Sequence, residues 1–552
     1  MLSRWQTVHT PAMHWHVHPA WLTALLGPRG LRWEEWHATG RVTVVKDAPH
    51  RKVYRVELDE GAVYIKHYPV PDLRSRVRQW LRPTKARHEW QVAQAIASQQ
   101  VPTVEPLALG EADDAASILV TRELRAEPLD LYLTGQESNL ASQPRTRHWL
   151  TERLARWLAR LHDAGVEHAD LHPGNLLVRG ALGDKLEIFL IDLFAARLGP
   201  PLSWEASARN VVLFALWFWP RSSRGDRWRF GQSYLTARRN WTESPPDEQD
   251  WLRLEAVGWE FYLEQWRRRD GRCFRAQRDV QQRRQATGSE IWAVRSVGAE
   301  TAAVWLADPD EPLSQPGTVI LKQSPTATVA EVDLPLVSGG SVRVIYKRFQ
   351  QKKSWDAVVD LFRMNPGQRS WLNGWRLHEA RLPTPQPMLL IQTVRHGLAG
   401  PAYLATRKLE GADDLMAAWC HASPAQQREL IESTARLLRQ LHHHGLSHRD
   451  LKAANLLVTR CAATGRPELH FIDLVGMTRH VRIGKRRRVR NLARLAVSFR
   501  AAAGRTDLLR FLRAYLGRRR FTRERWREWW RGIEAHVQQK VRLNRRRGRP
   551  VS

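Results

Sequence analysis

The sequence predicts an α+β fold in two tandem copies of one bilobal unit, each with a small lobe of strands and a larger helical lobe. The loop HADLHPGNLLV at His168 recurs as HRDLKAANLLV at His448, 280 residues later. VPTVEP at Val101 likewise recurs as LPTPQP at Leu382. Such self-similarity indicates a duplicated domain. We therefore divide the chain into residues 1–280 and 281–552, joined through the arginine-rich stretch 267–289.

Strand patterns precede each loop. In the first copy, apolar or alternating residues predict strands at Val42–Val45, Val53–Leu58 and Ala62–Tyr68. In the second copy, Ser338 to Gly340 separate VAEVDLPLV from SVRVIYKRF and predict a hairpin turn.

An amphipathic helix is predicted directly before each loop, with its apolar residues on one face. These residues are Leu150, Leu154, Trp157, Leu158 and Leu161 in the first copy, and Ile431, Thr434, Leu437, Leu438 and Leu441 in the second. Gly165 and Gly445 follow, each three residues before the loop histidine. Glycine commonly ends a helix in a left-handed conformation, so both loops are expected to leave their helices in the same geometry.

The loop residues have the spacing that phosphoryl transfer from ATP requires. An aspartate accepts the proton of the acceptor hydroxyl, an asparagine five residues later binds Mg²⁺, and an aspartate on the next strand binds Mg²⁺ at the nucleotide phosphates. The predicted bases are Asp170 and Asp450. The predicted metal ligands are Asn175, Asp192, Asn455 and Asp473. The alternative, two unrelated surface loops, is disfavoured because the whole pattern occurs twice.

A lysine in each copy is predicted to contact the ATP phosphates. Lys66 and Lys347 end the third strand of their small lobes, 104 and 103 residues before the predicted base. Glu89, on the following helix, is predicted to pair with Lys66. In the second copy the equivalent position is Ser370, so either Glu379 at the far end of the helix or another group must orient Lys347.

The phosphate-covering turns lack glycine motifs. KDAPHRK from Lys46 and KQSPTAT from Lys322 occupy the place of GxGxxG. They are expected to cover the phosphates with backbone amides, helped in the second copy by Ser324, Thr326 or Thr328, or else to be plain hairpins. The motifs DFG and APE are absent too, so no peptide-docking apparatus is recognised.

The two loops differ at one position. Lys452 lies two residues after Asp450, where a positive charge can face the transferring phosphoryl group, and it is assigned a catalytic role. The first copy has His172 there, which predicts lower efficiency or another acceptor. His168 and His448 are expected to tie the loop to neighbouring backbone.

The formal net charge is +31, and residues 481–552 contain 24 Lys and Arg against four acids. Such a tail favours an anionic surface, whether lipid, phosphorylated glycolipid or nucleic acid; a solvated arginine-rich face is the alternative. Tryptophans at 526, 529 and 530, with Ile533 and Val537, form an apolar stripe. This stripe either packs on its own large lobe or rests on a membrane interface.

Three scattered cysteines indicate neither a disulfide framework nor a zinc site. The longest apolar stretch, Val211 to Trp219, is far shorter than a membrane span. We expect a soluble or peripheral protein on the cytoplasmic side, where ATP is present.

The chain resembles the lipopolysaccharide kinase family, which includes core heptose kinases and 3-deoxy-D-manno-octulosonic acid kinases. The resemblance rests on HADLHPGN, HRDLKAAN, VPTVEP and LPTPQP and on the missing DFG glycine. The resemblance covers roughly residues 40–265 and 290–520. It implies a protein-kinase-like fold, Mg²⁺ and ATP, and a sugar hydroxyl of an anionic, membrane-anchored glycolipid as acceptor. Nucleic acid is then not an expected partner, and no oligomeric state is predicted. A protein or small-molecule kinase, or one active kinase domain paired with a pseudokinase scaffold, remains the alternative.

Overall fold

The computed structural model describes residues 5–48, 51–70, 83–183, 186–242, 244–277, 279–350, 363–395, 397–461, 465–517 and 521–546. Pro49 and His50, at the tip of the first predicted phosphate-covering turn, and residues 547–552 of the basic tail lie outside the described residues. The chain divides into two compact units, Met1–Trp259 and Glu260–Ser552. The stretch 267–289, expected to join the two copies, therefore belongs with the second unit.

In the described part of the first unit, seven strands form one antiparallel sheet in the order β1-β2-β8-β9-β7-β6-β5. Val56, Val63 and Ile65 are buried on one face of this sheet, as the alternating strand pattern predicts. The strands and helices of this small lobe are β1 Gln6–His9, β2 His14–Val17, α1 Leu22–Leu25, β3 Leu26–Gly27, β4 Gly30–Leu31, α2 Trp33–Ala38, β5 Val42–Ala48, β6 Arg51–Val56, β7 Val63–Tyr68, α3 Lys85–Ser98, β8 Pro106–Glu111 and β9 Ser117–Arg122.

The hairpin of β1 and β2 was not predicted from the sequence. Its strands are only four residues long and rich in histidine, and in β2 only Trp15 and Val17 are buried. Apolar periodicity over so short a segment gives little signal.

The large lobe of the first unit is mainly helical. Its elements are β10 Glu127–Pro128, α4 Leu129–Gly135, α5 Glu137–Ser142, α6 Pro144–Asp163, β11 Val166–His168, β12 Leu176–Arg179, β13 Glu187–Leu190, β14 Ala196–Leu198, α7 Trp204–Phe218 and α8 Arg224–Ala237, and α9 Glu248–Arg269 contains the point of division. All five predicted apolar positions of α6 are buried. Gly165 ends α6 with φ 72°, and a Cβ there would overlap the carbonyl oxygen of Gly199. The predicted left-handed exit from this helix is confirmed.

The second unit repeats this topology. Seven of its described strands form one sheet in the order β15-β16-β20-β21-β19-β18-β17, which matches the first sheet position by position. Gly339 and Gly340 have φ 85° and 77° between the two predicted strands, so the hairpin turn is confirmed. The small-lobe elements are β15 Val280–Arg284, β16 Glu290–Val294, α10 Ala299–Ala307, β17 Val319–Ser324, β18 Ala327–Pro335, β19 Ser341–Phe349, α11 Pro366–Glu379, β20 Pro387–Arg395 and β21 Leu398–Arg407.

The large lobe of the second unit contains the basic tail. Its elements are β22 Asp413–Asp414, α12 Leu415–Cys420, α13 Pro424–His443, β23 Leu446–His448, β24 Leu456–Arg460, β25 Pro467–Phe471, β26 Met477–Arg479, α14 Lys485–Ser498, α15 Arg505–Leu516 and α16 Arg523–Arg546. The predicted apolar face of α13 is buried, and Gly445 follows with φ 71°. In α16, Trp529, Val537 and Val541 are buried against the lobe, so the prediction that the tryptophan stripe packs on its own large lobe is confirmed. Among the helices described, none is long and apolar enough to cross a membrane.

Candidate active site

Each catalytic loop is anchored by a buried asparagine from the first long helix that follows it. The backbone N–H of His168 donates to Asn210 Oδ1 at 2.9 Å, and that of His448 donates to Asn491 Oδ1 at 3.0 Å. Both asparagines are almost completely buried. Sequence reasoning assigned them no role, although the matched RN dipeptides at Arg209 and Arg490 were the signal that could have found them.

The loop histidines connect backbone segments. His168 Nδ1 accepts from the Asp170 N–H at 3.2 Å, and its Nε2, protonated in the tautomer that this contact requires, donates to the Asp192 carbonyl at 3.3 Å. His448 Nδ1 accepts from the Asp450 N–H at 3.1 Å. Burial lowers the pKa of both imidazoles, which favours the neutral form. These contacts are those of the expected structural role.

The predicted bases lie beside the predicted metal-binding asparagines. Asn175 Nδ2 donates to the Asp170 carbonyl at 2.8 Å, and Asn455 Nδ2 donates to the Asp450 carbonyl at 2.7 Å. Because the side-chain nitrogen of each asparagine donates to this carbonyl, the side-chain oxygen of the asparagine is the atom left for a cation. The side chains of Asp170 and Asp450 are exposed, so an acceptor can reach them from solvent.

The two predicted metal aspartates share an uncommon backbone conformation. Asp192 has φ 57° and ψ 51°, and Asp473 has φ 53° and ψ 58°. Left-handed backbone is uncommon outside glycine and is often retained at functional sites. Burial opposes ionisation of Asp192, but Lys66, Arg51 and His168 outweigh it and lower the pKa of this carboxyl. In the second unit Lys347 has the same effect on the pKa of Asp473 against its burial.

The predicted ion pair of the first copy is present. Lys66 Nζ lies 2.6 Å from Glu89 Oε2, and the Tyr68 hydroxyl donates to Glu89 Oε1 at 2.7 Å. Glu89 is only 1% exposed, so both of its oxygens are satisfied inside the lobe. The sequence did not predict the contact with Tyr68.

The second copy is arranged differently. Ser370 is buried on α11 where Glu89 would be, and Lys347 Nζ contacts Asp473 Oδ1 at 2.9 Å. Glu379 lies in the electrostatic neighbourhood of Arg479 and Asp270, and burial raises its pKa to about 7. Two partners were left open for Lys347, Glu379 or another group. The structure shows another group, and it is Asp473, the predicted metal ligand.

Arg51 is a site residue that sequence reasoning missed. It belongs to KDAPHRK and begins β6, and its Nη1 lies 2.7 Å from Asp192 Oδ1. Val53 pairs with Lys66 and Val329 pairs with Lys347, so the position of Arg51 corresponds to Ala327 in the second copy. The cation in KDAPHRK was visible in the sequence, but its target, 141 residues away, was not.

The loop position that differs between the copies lies beside each predicted base. Lys452 Nζ is 3.4 Å from Asp450 Oδ2, and His172 Nε2 is 3.7 Å from Asp170 Oδ2. A fixed positive charge therefore accompanies only the second base, because His172 is charged only when protonated.

Two further cations, Arg494 and Lys540, lie in the electrostatic neighbourhood of Asp450. Arg494 Nη1 lies 3.5 Å from the His448 carbonyl oxygen. Burial, with the like charges of Arg494 and Lys452, lowers the pKa of Lys540 on α16, while Asp450 raises it. Leu213 occupies the place of Arg494 in the first copy, three residues after the anchoring asparagine. The surroundings of the second base are thus more cationic than those of the first. The local sequence could not indicate this difference in full, because Lys540 comes from the distant tail.

Each copy combines a strand-rich lobe with a helical lobe. Its site contains the aspartate and asparagine of the catalytic loop and the aspartate after the next strand. Together these features define a phosphotransferase of the protein-kinase-like class. The sequence model of the lipopolysaccharide kinase (Kdo/WaaP) family matches residues 36–211 and 367–515, one segment in each copy and together more than half of the chain. The chain belongs to this family and is a kinase. The resemblance drawn from the sequence is confirmed.

Known proteins show the same similarity. The chain is 30% identical over 209 residues to the lipopolysaccharide core heptose(I) kinase WaaP of Pseudomonas aeruginosa, an alignment that covers 35% of this chain and 76% of that protein. A solved structure described as WaaP in complex with acyl carrier protein aligns with 48% of this chain and 98% of that chain, at 20% identity and a TM-score of 0.34.

Proposed function

We propose that this protein is an ATP- and Mg²⁺-dependent kinase that phosphorylates a sugar hydroxyl of a lipopolysaccharide core or a related envelope glycolipid. The observation that carries the proposal is the complete catalytic loop and metal aspartate in both copies, each lying in or beside a segment matched by the lipopolysaccharide kinase family. The acceptor class rests on that family and on the heptose kinase relative.

The donor atoms suit Mg²⁺. A carboxylate and an amide oxygen in each site are hard oxygen ligands of the kind that Mg²⁺ prefers. A side-chain cation already contacts each carboxylate, the guanidinium of Arg51 at Asp192 and the ammonium of Lys347 at Asp473, so both positions accept positive charge. Asn175 with Asp192, and Asn455 with Asp473, would hold the ion. When bound, Mg²⁺ would neutralise negative charge on the phosphates of ATP.

The residues of the chain then supply positioning and proton transfer. Asp170 or Asp450 orients the acceptor hydroxyl and takes its proton, while the acceptor oxygen bonds to the γ-phosphorus and the bond to the bridging oxygen of ADP breaks with its electron pair. Lys66, oriented by Glu89, binds the phosphates in the first site. Lys347 has this role in the second site once it leaves Asp473.

The charges around Asp450 support an anionic acceptor for the second copy. Lys452 and Arg494 lie within 3.5 Å of atoms of the catalytic loop, and Lys540 adds a third charge. Phosphate or carboxylate groups of a core glycolipid would be attracted to such a site.

One observation favours the second candidate, an active domain paired with a pseudokinase scaffold. In the second copy the phosphate lysine lacks a glutamate partner and contacts the metal aspartate. This arrangement makes the second copy the one expected to be weaker or inactive.

The function is tested with the purified full chain, ATP, Mg²⁺ and envelope glycolipid extracted from cells that lack the protein. We expect the glycolipid to gain one phosphoryl group by mass spectrometry, with omission of Mg²⁺ as the control. Phosphorylation of peptides or free sugars while the glycolipid stays unmodified would contradict the proposed acceptor.

We further propose that the protein acts at the cytoplasmic face of the inner membrane, where exposed arginines of α16 face anionic headgroups. These arginines are Arg523, Arg525, Arg527, Arg531, Arg542, Arg545 and Arg546. Because Trp529 is buried in the lobe, the contact would be electrostatic and sensitive to salt. Replacing Arg525, Arg531 and Arg542 with Gln should reduce flotation with phosphatidylglycerol vesicles, whereas deleting the helix would expose the core. Unchanged flotation would contradict this membrane contact.

A further inference from the structure

We propose that Arg51 is a second phosphate-binding cation of the first site, one that rests on Asp192 and moves to the nucleotide phosphates when a divalent cation takes that carboxylate. The inference depends on the proposed function, because it concerns how the same site binds its nucleotide. It gives a role to a residue that neither the catalytic loop nor the lysine-glutamate pair includes.

The sheet register directs Arg51 into the site. Val53 lies opposite Lys66 in the pairing of β6 with β7, and Arg51 precedes Val53 by two residues. Side chains two residues apart on a strand, and side chains directly opposite across an antiparallel pair, point to the same face. Arg51 and Lys66 therefore share one face of the sheet, the face that also receives Asp192.

The charged side chains of the first site form two ion pairs. Lys66 pairs with Glu89, and Arg51 pairs with Asp192 across 141 residues of chain. The Arg51 side chain is only 20% exposed, so it is costly to leave its charge without a partner. If Asp192 held a divalent cation, the Arg51 guanidinium would leave this carboxylate and take the phosphate chain of the nucleotide as its negative partner.

The chemistry of arginine suits this transfer. Its planar guanidinium binds phosphate with two parallel hydrogen bonds. Arg51 belongs to KDAPHRK, the glycine-free segment expected to cover the phosphates, and it begins β6. The side chain thus supplies the contact that the missing glycine motif would otherwise provide.

The second copy is a natural contrast. Ala327 occupies the matching position, and Lys347 is both the expected phosphate cation and the partner of Asp473. Among the residues that the structure describes, the first site therefore has Arg51 and Lys66 for the phosphates, while the second has Lys347. We expect the first site to bind nucleotide more tightly.

The test uses the full chain with Asp473→Asn, so that only the first metal aspartate remains, and adds Arg51→Ala, the residue of the second copy. Binding of the non-hydrolysable β,γ-imido analogue of ATP with Mg²⁺ is measured by calorimetry, and binding of Mn²⁺ without nucleotide by electron paramagnetic resonance. Loss of Arg51 should weaken nucleotide binding at the first site roughly 10- to 100-fold, as expected for a hydrogen bond between charged groups. The same change should tighten Mn²⁺ binding, because Asp192 loses its resident cation.

A phosphate-binding role predicts weaker nucleotide binding but tighter Mn²⁺ binding, whereas a purely structural role would weaken both. Lys52→Ala is the matched control, since Lys52 is the next residue on β6 and its ammonium pairs with Asp47 at 3.5 Å on the exposed surface. It should change neither affinity. Weakening of both affinities by Arg51→Ala would show that Arg51 only supports the fold, and no change in either would also overturn the inference. Failure of the unsubstituted chain to bind nucleotide would instead overturn the proposed function itself.

Discussion

Lys347 Nζ lies 2.9 Å from Asp473 Oδ1, so the cation expected on the phosphates of the second site contacts the carboxylate expected to hold its metal. In the first site the corresponding lysine is held by Glu89, and Arg51 contacts the metal aspartate instead. The difference follows from one helix position, which is Glu89 in the first copy and Ser370 in the second. A carboxylate there separates the phosphate lysine from the metal aspartate, and a serine does not.

Replacing Glu89 with Gln should make the first site resemble the second. Lys66 would lose its charged partner and turn toward Asp192. The charge of Lys66 already helps to lower the pKa of the Asp192 carboxyl. We expect the first unit to lose about 2 kcal/mol of unfolding free energy, and nucleotide binding to weaken. Thermal unfolding and nucleotide titration measure the two effects. Ser370→Ala is the matched control in the second copy and should leave nucleotide binding there unchanged; weakening by both substitutions alike would contradict this explanation.

Exchanging the residue beside each base should change turnover in opposite directions. Lys452→His removes a fixed charge 3.4 Å from Asp450, and we expect kcat of the second site to fall roughly 10- to 100-fold. His172→Lys should raise kcat of the first site if both copies use one acceptor. Each variant is assayed with the other site disabled by replacing its predicted base with alanine. A change in KM for ATP with kcat unchanged would place Lys452 in nucleotide binding instead.

Glu379 should make the stability of the second unit depend on pH. Burial raises the pKa of this carboxyl from 4.5 to about 7, so the folded state favours its protonated form. The contribution to unfolding free energy is greatest below pH 4.5 and is lost as the pH rises through 7. Glu379→Gln should therefore stabilise the unit at pH 8, by up to about 3 kcal/mol, and have little effect at pH 4.5.

Chemical denaturation at the two pH values measures this effect. Glu300→Gln is the control, because Glu300 is exposed on α10 of the same unit. Equal effects of Glu379→Gln at both pH values would show that the ionised side chain is adequately stabilised.

The sequence predicted those features that depend on local pattern. The catalytic loops, the helices before them, the glycine exits and the hairpin at Ser338 to Gly340 all follow from spacing or apolar periodicity. Even the contact between Lys66 and Glu89 was predicted, because both residues belong to a motif at fixed positions.

The features that were missed depend on tertiary packing. Arg51 reaches a carboxylate 141 residues away, and Lys540, on the C-terminal helix, lies in the electrostatic neighbourhood of Asp450 and Lys452. Neither relationship has a spacing rule, since it depends on how separate elements pack. The partner of Lys347 was left open for the same reason, because Ser370 removed the motif residue without indicating what replaced it.

The assignment of Asp170 and Asp450 as catalytic bases is tested most directly by assaying glycolipid phosphorylation by the Asp170→Ala, Asp450→Ala and double variants of the full chain. Loss of a general base lowers rates by about 100- to 10,000-fold, so each single variant should lose the turnover of its own site while retaining nucleotide binding. The double variant should lose turnover by at least about 100-fold. Turnover of the double variant at the level of the unsubstituted chain would contradict the assignment of both aspartates as the catalytic bases.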